Sequence, residues 1–170
     1  MTNGDKTIIC KAPGKLMISG EHAVIYGFPC IATAINRYIE VAGQMTNDVS
    51  DIFDTGTMSD QRFVRSAAAL FRKTFHLDKS VHLRTQSTIG RYGLGSSAAT
   101  VVATVQVLSE IFGIKLTKKK LFELSLSAVL EIQPKASGFD IAASIYGGTL
   151  YFKGKTKKHN TRRGAGVAEG

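Results

Sequence analysis

The stretch from residue 93 to residue 113 constrains the fold more than any other part of the chain. Two glycines and two serines open it, and a run rich in alanine, valine and leucine follows over 96–112, before Gly113. A run that is apolar on every side predicts a buried helix, and a glycine beyond its end predicts where that helix stops. The sequence therefore predicts one long helix inside the core.

The rest of the chain divides into short β-rich runs and amphipathic runs. Strands are predicted around a Pro-Gly turn and in four later places, at 7–10, 15–19, 31–35, 38–42, 81–86 and 149–152. Helices are predicted at 62–75, at 118–132 behind the capping residue Thr117, and at 137–146. Residues 46–56 are predicted to be a polar surface loop. Strands followed by helices are typical of an α+β fold.

The net charge of +9 does not indicate nucleic-acid binding once the charges are located. Residues 153–170 hold six Lys or Arg and one Glu, which is +5 of the total, in a polar segment without periodicity. Such a segment is typical of a solvated, disordered tail. We therefore expect a basic disordered tail over 154–170 and no nucleic-acid partner.

The composition is that of a reduced globular protein, with 44% hydrophobic and 21% charged residues. No apolar run approaches the roughly 18 residues of a membrane span, and no secretion signal is recognisable at the start. Cys10 and Cys30 lie in apolar stretches and are expected to be buried and reduced. We expect a cytoplasmic protein without a membrane partner.

Three segments carry residues suited to chemistry. In 92–99, Tyr-Gly-Leu-Gly-Ser-Ser-Ala-Ala, the glycines let backbone N–H groups face a ligand, and the serines open a helix whose free N–H groups attract anions. The segment lacks the lysine of the G-x-x-x-x-G-K-[ST] loop. It predicts a phosphate site, and the alternative is a glycine-rich turn capped by serine.

The second segment spans residues 11–27, and the third spans 131–148. In the second, Lys15 follows a rigid Pro-Gly turn that can aim its ammonium, and the pair Glu21 and His22 lies in an apolar stretch, where burial without partners costs several kcal/mol. In the third, Asp140 lies among small and apolar residues, so it is expected to pair with a cation or to do chemistry. The alternatives are a solvated lysine and a helix-capping aspartate.

Together, in this chain order, the three segments resemble the GHMP kinases over roughly residues 7–153. Residues 92–99 are similar to the ATP-binding motif of that family, and 11–27 look most like its mevalonate kinases. The stretch from Glu131 to Asp140 is similar to archaeal-type mevalonate kinases. The amino-acid sequences of 92–97 and 137–140 also resemble those of phosphomevalonate kinases. The resemblance implies an α+β domain with a mixed or antiparallel sheet and helices on one side, and an ATP-dependent kinase whose substrate is a small-molecule alcohol, mevalonate in the first place.

The resemblance also implies roles for individual residues. Asp140 would act as base toward the attacking hydroxyl, Lys15 would neutralise the γ-phosphate, and Mg²⁺ would be held by Glu131 with Ser97 or Ser96. Glu21 and His22 would line the substrate pocket. The ATP phosphates would be wrapped by a loop of six residues: Gly93, Leu94, Gly95, Ser96, Ser97 and Ala98.

Departures from the family pattern leave other interpretations open. A proline is missing before the loop, Pro134 stands where relatives have glycine, and no third glycine-rich motif follows. Residues 1–153 are thus expected to be an amino-terminal ATP-binding domain whose carboxyl-terminal partner domain is absent, as in a truncated gene. The alternatives are a phosphomevalonate kinase, another GHMP kinase, or a non-catalytic remnant that binds nucleotide or a partner. The sequence is also compatible with a homodimer.

Overall fold

The computed structural model describes residues 6–54, 56, 60–89 and 93–154. In chain order it contains five strands, four α-helices and a short 3₁₀ helix over Ala23–Tyr26. The strands are β1 (Ile8–Ser19), β2 (Pro29–Thr46), β3 (Ile52–Asp54), β4 (Ser80–Ser87) and β5 (Thr149–Lys153). The helices are α1 (Arg62–Phe75), α2 (Ser96–Ile111), α3 (Lys118–Ile132) and α4 (Phe139–Tyr146).

The long strand β2 is the centre of a mixed sheet. It pairs antiparallel with β1 on one side, and on the other side with β5 along its first residues and with β4 along its last. The short strand β3 lies parallel to β4 at the edge. The predicted α+β fold with a mixed sheet is confirmed.

One face of the sheet packs against the helices. In β4, Val81 and Leu83 are fully buried, while the alternate residues Arg84 and Gln86 are exposed, as expected for a sheet covered on one side. Helix α2 is buried nearly all round, which confirms the helix predicted inside the core. Among the helices that the structure describes, none has the length and hydrophobicity needed to cross a membrane.

The helix predictions are confirmed, and the start of α3 shows the predicted cap. Helix α1 spans Arg62–Phe75 and buries five residues of one stripe, Phe63, Val64, Ala67, Ala68 and Phe71. The side chain of Thr117 accepts a hydrogen bond of 3.2 Å from the backbone N–H of Lys120. Helix α3 continues through Ile132 despite the nearby Pro134.

Two strand predictions were wrong in the same way. Residues 8–10 and 15–19 of the two predicted strands belong to the single strand β1, and 31–35 and 38–42 belong to β2. The register changes between Pro13, opposite Tyr38, and Lys15, opposite Ala34, so three residues of β2 face the single residue Gly14. The pairing of the two strands is bulged at the Pro-Gly step, with the extra residues on β2, and β1 continues in the same direction, because a bulge absorbs extra residues without ending the pairing.

The predicted surface loop at 46–56 was also wrong in part, because 52–54 form β3. The ladder to β4 pairs Phe53 with Leu83, and Phe53 packs against the core. Both cysteines are free, as predicted; Cys30 is buried, but Cys10 is only partly buried. Of the tail predicted at 154–170, residues 155–170 lie outside the described residues.

Candidate active site

The glycine-serine segment forms a loop that ends at the amino terminus of α2. Gly93 and Gly95 have φ angles of 61° and 79°, in the left-handed region that L side chains rarely adopt. Gly95 precedes the helix, and no side chain caps its first turn. Helix-start N–H groups without a capping side chain, together with the positive end of the helix dipole, form an anion site.

This loop lies directly against the Pro-Gly step of β1. The backbone N–H of Lys15 donates to the carbonyl of Leu94 at 2.8 Å. A Cβ on Gly14 would lie 2.6 Å from that carbonyl oxygen, and a Cβ on Gly95 would lie 2.8 Å from Cγ of Lys15. The two segments approach so closely that each contact requires a glycine.

The side chain of Lys15 is held between the loop and α4. Its Nζ donates to the carbonyl of Gly93 at 3.1 Å and lies 4.8 Å from the centre of the Phe139 ring. An ammonium over an aromatic face is attracted by the electron density of the ring. The ammonium is therefore fixed at the edge of the loop, as the sequence predicted for a lysine behind a Pro-Gly turn.

Asp140 lies in the first turn of α4, behind Gly138. Its Oδ1 accepts a hydrogen bond of 2.9 Å from the backbone N–H of Ile141. Burial raises the pKa of the Asp140 carboxyl above its ordinary value. The hydrogen bond from Ile141 and, to a smaller extent, the charge of Lys15 act in the opposite direction and lower this pKa. Helix α4 is tied to the bulge, because Ser144 Oγ donates to the carbonyl of Pro13 at 2.8 Å. The structure thus brings Lys15, Asp140 and the loop together.

Glu131 lies one residue before the end of α3, and its side chain is exposed. Its Oε2 accepts a hydrogen bond of 2.7 Å from the hydroxyl of Ser66 on α1. No hydrogen bond among the described residues joins Glu131 to Ser97 or Asp140. The described residues also hold no cluster of three or more His, Cys, Asp or Glu side chains that could bind a metal ion. The structure does not bring the predicted metal pair, Glu131 and Ser97, into direct contact.

Glu21 and His22 lie in the turn between β1 and the 3₁₀ helix, and both are exposed. The sequence analysis noted that burying this pair without partners would be costly, and neither side chain is buried. The chain turns at Gly20, whose φ is 91°, so the buried side chain of this stretch is that of Val24. The Glu-His pair carries no burial cost, and its position leaves both side chains open to a ligand.

Three residues at the site were missed by the sequence analysis. Phe139 supports the ammonium of Lys15, Ser66 binds Glu131, and Ser144 ties α4 to β1. An aromatic residue beside Asp140 was a usable signal for Phe139. Ser66 and Ser144 gave none, because serine on a helix has many roles and their partners lie 65 and 131 residues away.

A cleft of about 690 Å³ lies elsewhere, lined among others by Cys10, Glu110, Gly113 and Lys115. It is at the carboxyl end of α2, whose 16 residues separate it from the loop by about 24 Å. The loop, Lys15 and Asp140 instead form a surface on which Gly93 is exposed and Lys15 and Asp140 are partly buried. The chemistry of the side chains, rather than enclosed volume, marks this surface as the candidate site.

Comparisons with known proteins identify relatives of this chain. Residues 62–148 match the GHMP kinases N terminal domain, and residues 2–45 match the galactokinase galactose-binding signature. The chain is 34% identical to a phosphomevalonate kinase from Streptomyces sp., over 90% of the chain and 51% of that relative. It is 33% identical to the mevalonate kinase of Thermococcus sibiricus, over 86% of the chain and 51% of that relative.

The crystal structure of the Methanococcus jannaschii mevalonate kinase superposes with a TM-score of 0.80 at 23% identity, covering 88% of this chain and 54% of that one. The chain spans about half the length of the curated relatives it matches. The family match includes α1, α2, α3 and α4 and covers more than half of the chain. The chain belongs to the GHMP kinases and carries their amino-terminal domain.

Proposed function

We propose that this chain provides the phosphate-binding half of an ATP-dependent kinase that phosphorylates the primary hydroxyl of mevalonate in the cytoplasm. The observation that carries the proposal is the position of the Lys15 ammonium, between the Gly93 carbonyl and the Phe139 ring and beside Asp140. A cation next to a helix-start anion site and a carboxylate suits phosphoryl transfer, which depends mainly on positioning and electrostatics.

The nucleotide phosphates bind at the loop formed by Gly93, Leu94, Gly95, Ser96, Ser97 and Ala98. Gly93 supports this role, because no atom of the described residues beyond Gly93 and its chain neighbours lies within 4 Å of the position where its Cβ would be. The open space in front of it admits a phosphate. Lys15 then has two further N–H donors for the γ-phosphate while one remains on the Gly93 carbonyl.

Mg²⁺ is assigned to Ser97 or Ser96 together with Glu131. A hydroxyl and a carboxylate are hard oxygen donors of the kind Mg²⁺ prefers, and Mg²⁺ takes few protein ligands beside nucleotide phosphates. Within the part of the chain that the structure describes, one carboxylate oxygen of Glu131 is engaged, by Ser66, and the other accepts no hydrogen bond, so the donor set fits the ion. When bound, the ion neutralises charge on the phosphates.

Asp140 orients the substrate hydroxyl and accepts its proton as that oxygen attacks the γ-phosphorus. Its raised pKa makes it a better proton acceptor than an ordinary aspartate, and the Lys15 ammonium stabilises the hydroxyl oxygen as it loses the proton. Glu21 and His22, exposed in the turn after β1, are placed at the substrate pocket by this proposal.

Two other functions are tested by the same experiment. The 34% identity to a phosphomevalonate kinase favours phosphomevalonate as an alternative acceptor. A chain that binds nucleotide without catalysis is the alternative of another class.

The test restores a full-length fold by co-expressing the chain with the carboxyl-terminal half of a related mevalonate kinase. We expect ATP-dependent phosphorylation of mevalonate, reduced about 100-fold by Asp140→Asn, the usual scale for a lost acid–base group. Activity on phosphomevalonate alone would favour the first alternative, and nucleotide binding without turnover would favour the second.

A further inference from the structure

We infer that Ser66 is a positioning residue that orients the Glu131 carboxylate toward the metal of a bound Mg-nucleotide; this inference rests on the proposed function. Ser66 lies on α1, whereas Glu131 lies in the last turn of α3. The hydrogen bond between them, 2.7 Å from Oγ to Oε2, is a direct constraint on this otherwise exposed side chain.

Ser66 has a second oxygen close by, the carbonyl of Ala128, at 2.9 Å. The hydroxyl carries a single hydrogen, and an ionised carboxylate can only accept. The carboxylate is the stronger acceptor because it is charged, and it is also the nearer one at 2.7 Å, so the hydrogen bond to Glu131 is favoured and the Ala128 carbonyl is a weaker, shared acceptor. Oε2 is held, and Oε1 keeps its lone pairs for a ligand.

Small residues make this contact possible. Ala67 and Ala68 of α1 and Ala128 of α3 are all buried with at most 1% of their surface exposed. Side chains this small let the two helices lie close enough for the short serine side chain to reach across. The contact between α1 and α3 thus places a hydroxyl opposite Glu131. Glu131 itself lies too near solvent to be oriented by packing.

Groups that hold a metal-binding side chain are a recognised part of metal sites, and their loss typically weakens metal affinity by 10–100-fold. Glutamate has three rotatable side-chain bonds, so an unrestrained Glu131 would sample many orientations before meeting the ion. A purely structural Ser66 would join α1 to α3 and affect stability alone. The two roles differ in how they affect Mg²⁺-dependent binding.

The experiment titrates the 170-residue chain with the non-hydrolysable ATP analogue AMPPNP, with Mg²⁺ and with excess EDTA. The ratio of the two affinities is the Mg²⁺ enhancement. We expect Ser66→Ala to lower the enhancement about tenfold and to leave the EDTA affinity unchanged. Ser66→Thr keeps the hydroxyl and is expected to keep the enhancement. Ser109→Ala is the control, because that hydroxyl donates to the Gln106 carbonyl, toward the other end of α2.

Circular dichroism melting of each variant shows that it is folded at the titration temperature. An unchanged enhancement in Ser66→Ala, or an equal loss with Mg²⁺ and with EDTA, would overturn the inference while leaving the proposed function intact. If Ser66→Ala does not fold, a tenfold loss of enhancement in Ser66→Thr would overturn it, and a retained enhancement would support it. If the parent chain binds AMPPNP without any Mg²⁺ enhancement, the metal site of the proposed function fails as well.

Discussion

The backbone N–H of Lys15 donates to the carbonyl of Leu94, 79 residues later in the chain, at 2.8 Å. This bond joins β1, directly after its Pro-Gly step, to the loop before α2. It fixes the backbone from which the Lys15 side chain extends, so the ammonium and the helix-start N–H groups face the same space. The candidate site depends on this close approach.

Gly95→Ala should disrupt the site more than the same change at Gly113. Both residues have positive φ angles, 79° and 65°. Alanine is strained in this left-handed region, so each variant should lose about 1–2 kcal/mol in the free energy of unfolding. Only at Gly95 would the new Cβ meet a neighbour, Cγ of Lys15 at 2.8 Å. We expect Gly95→Ala to lower the melting temperature more than Gly113→Ala does, and a large loss of AMPPNP affinity for Gly95→Ala alone. Equal binding by the two variants would contradict this contact.

Lys15→Met should remove the preference for a γ-phosphate. Methionine keeps much of the side-chain length and loses the charge, and a hydrogen bond to a charged group contributes about 1.5–3 kcal/mol. We expect affinity for AMPPNP to fall at least tenfold and affinity for ADP to change little, both measured by calorimetry.

Lys11→Met is the matched control for that change. Lys11 lies on the same strand, but its ammonium pairs with Glu40 at 2.7 Å, so it is engaged elsewhere. A similar loss of AMPPNP affinity in both variants would show that general charge, and not the position of Lys15, attracts the nucleotide.

Asp140→Asn should stabilise the fold at neutral pH. Because the folded-state pKa of Asp140 lies above its ordinary value, the folded protein holds this proton more tightly than the unfolded chain does. The contribution of the group to stability is therefore greatest below the unfolded pKa of about 3.9 and falls as the pH rises through the raised value. Asparagine cannot ionise, so the variant avoids this loss.

Melting curves of the parent and the asparagine variant between pH 4 and pH 8 test this expectation. The variant should melt higher at pH 7, and the difference should shrink as the pH falls toward 4. A lower melting temperature for Asp140→Asn throughout that range would instead identify Asp140 as a structural residue.

Arg72→Met should destabilise the fold without affecting the site. The Arg72 guanidinium bonds both carboxylate oxygens of Asp51 at 3.0 Å and the carbonyls of Leu77 and Asp78 at 3.2 Å. The group is largely buried, so removing it leaves Asp51 without its cation. We expect a loss of about 2–3 kcal/mol in the free energy of unfolding, measured with urea. Nucleotide affinity in the folded variant should be unchanged; a loss of affinity would contradict this separation.

The sequence was most informative where a pattern repeats locally. Helices α1 and α3 follow the predicted bounds because their apolar stripes and the Thr117 cap are encoded within a few turns. The continuity of β1 and β2 could not be predicted, since Pro13 and Gly14 suit a reversing turn as well as a bulge. Only pairing with β2, whose partner residues lie more than 15 positions away, distinguishes the two.

The same limit applies to the candidate site. Lys15 and Asp140 were identified from unusual residues in their local contexts, and the structure places them on adjoining elements. The exposure of Glu21 and His22 could not be predicted, because the direction of the chain after Gly20 is set by its packing against Pro29 and Cys30. The bond from Ser66 to Glu131 depends on how α1 and α3 pack, which no local pattern encodes.

The most direct test of the central claim is calorimetric titration of this chain with AMPPNP in the presence of Mg²⁺. The account predicts saturable binding at one site per chain that weakens when Mg²⁺ is removed and weakens further in Lys15→Met. The affinity should be lower than that of a full-length relative, which spans about twice as many residues. No heat of binding at millimolar nucleotide, with the chain shown to be folded, would contradict the claim that this domain binds nucleotide phosphates.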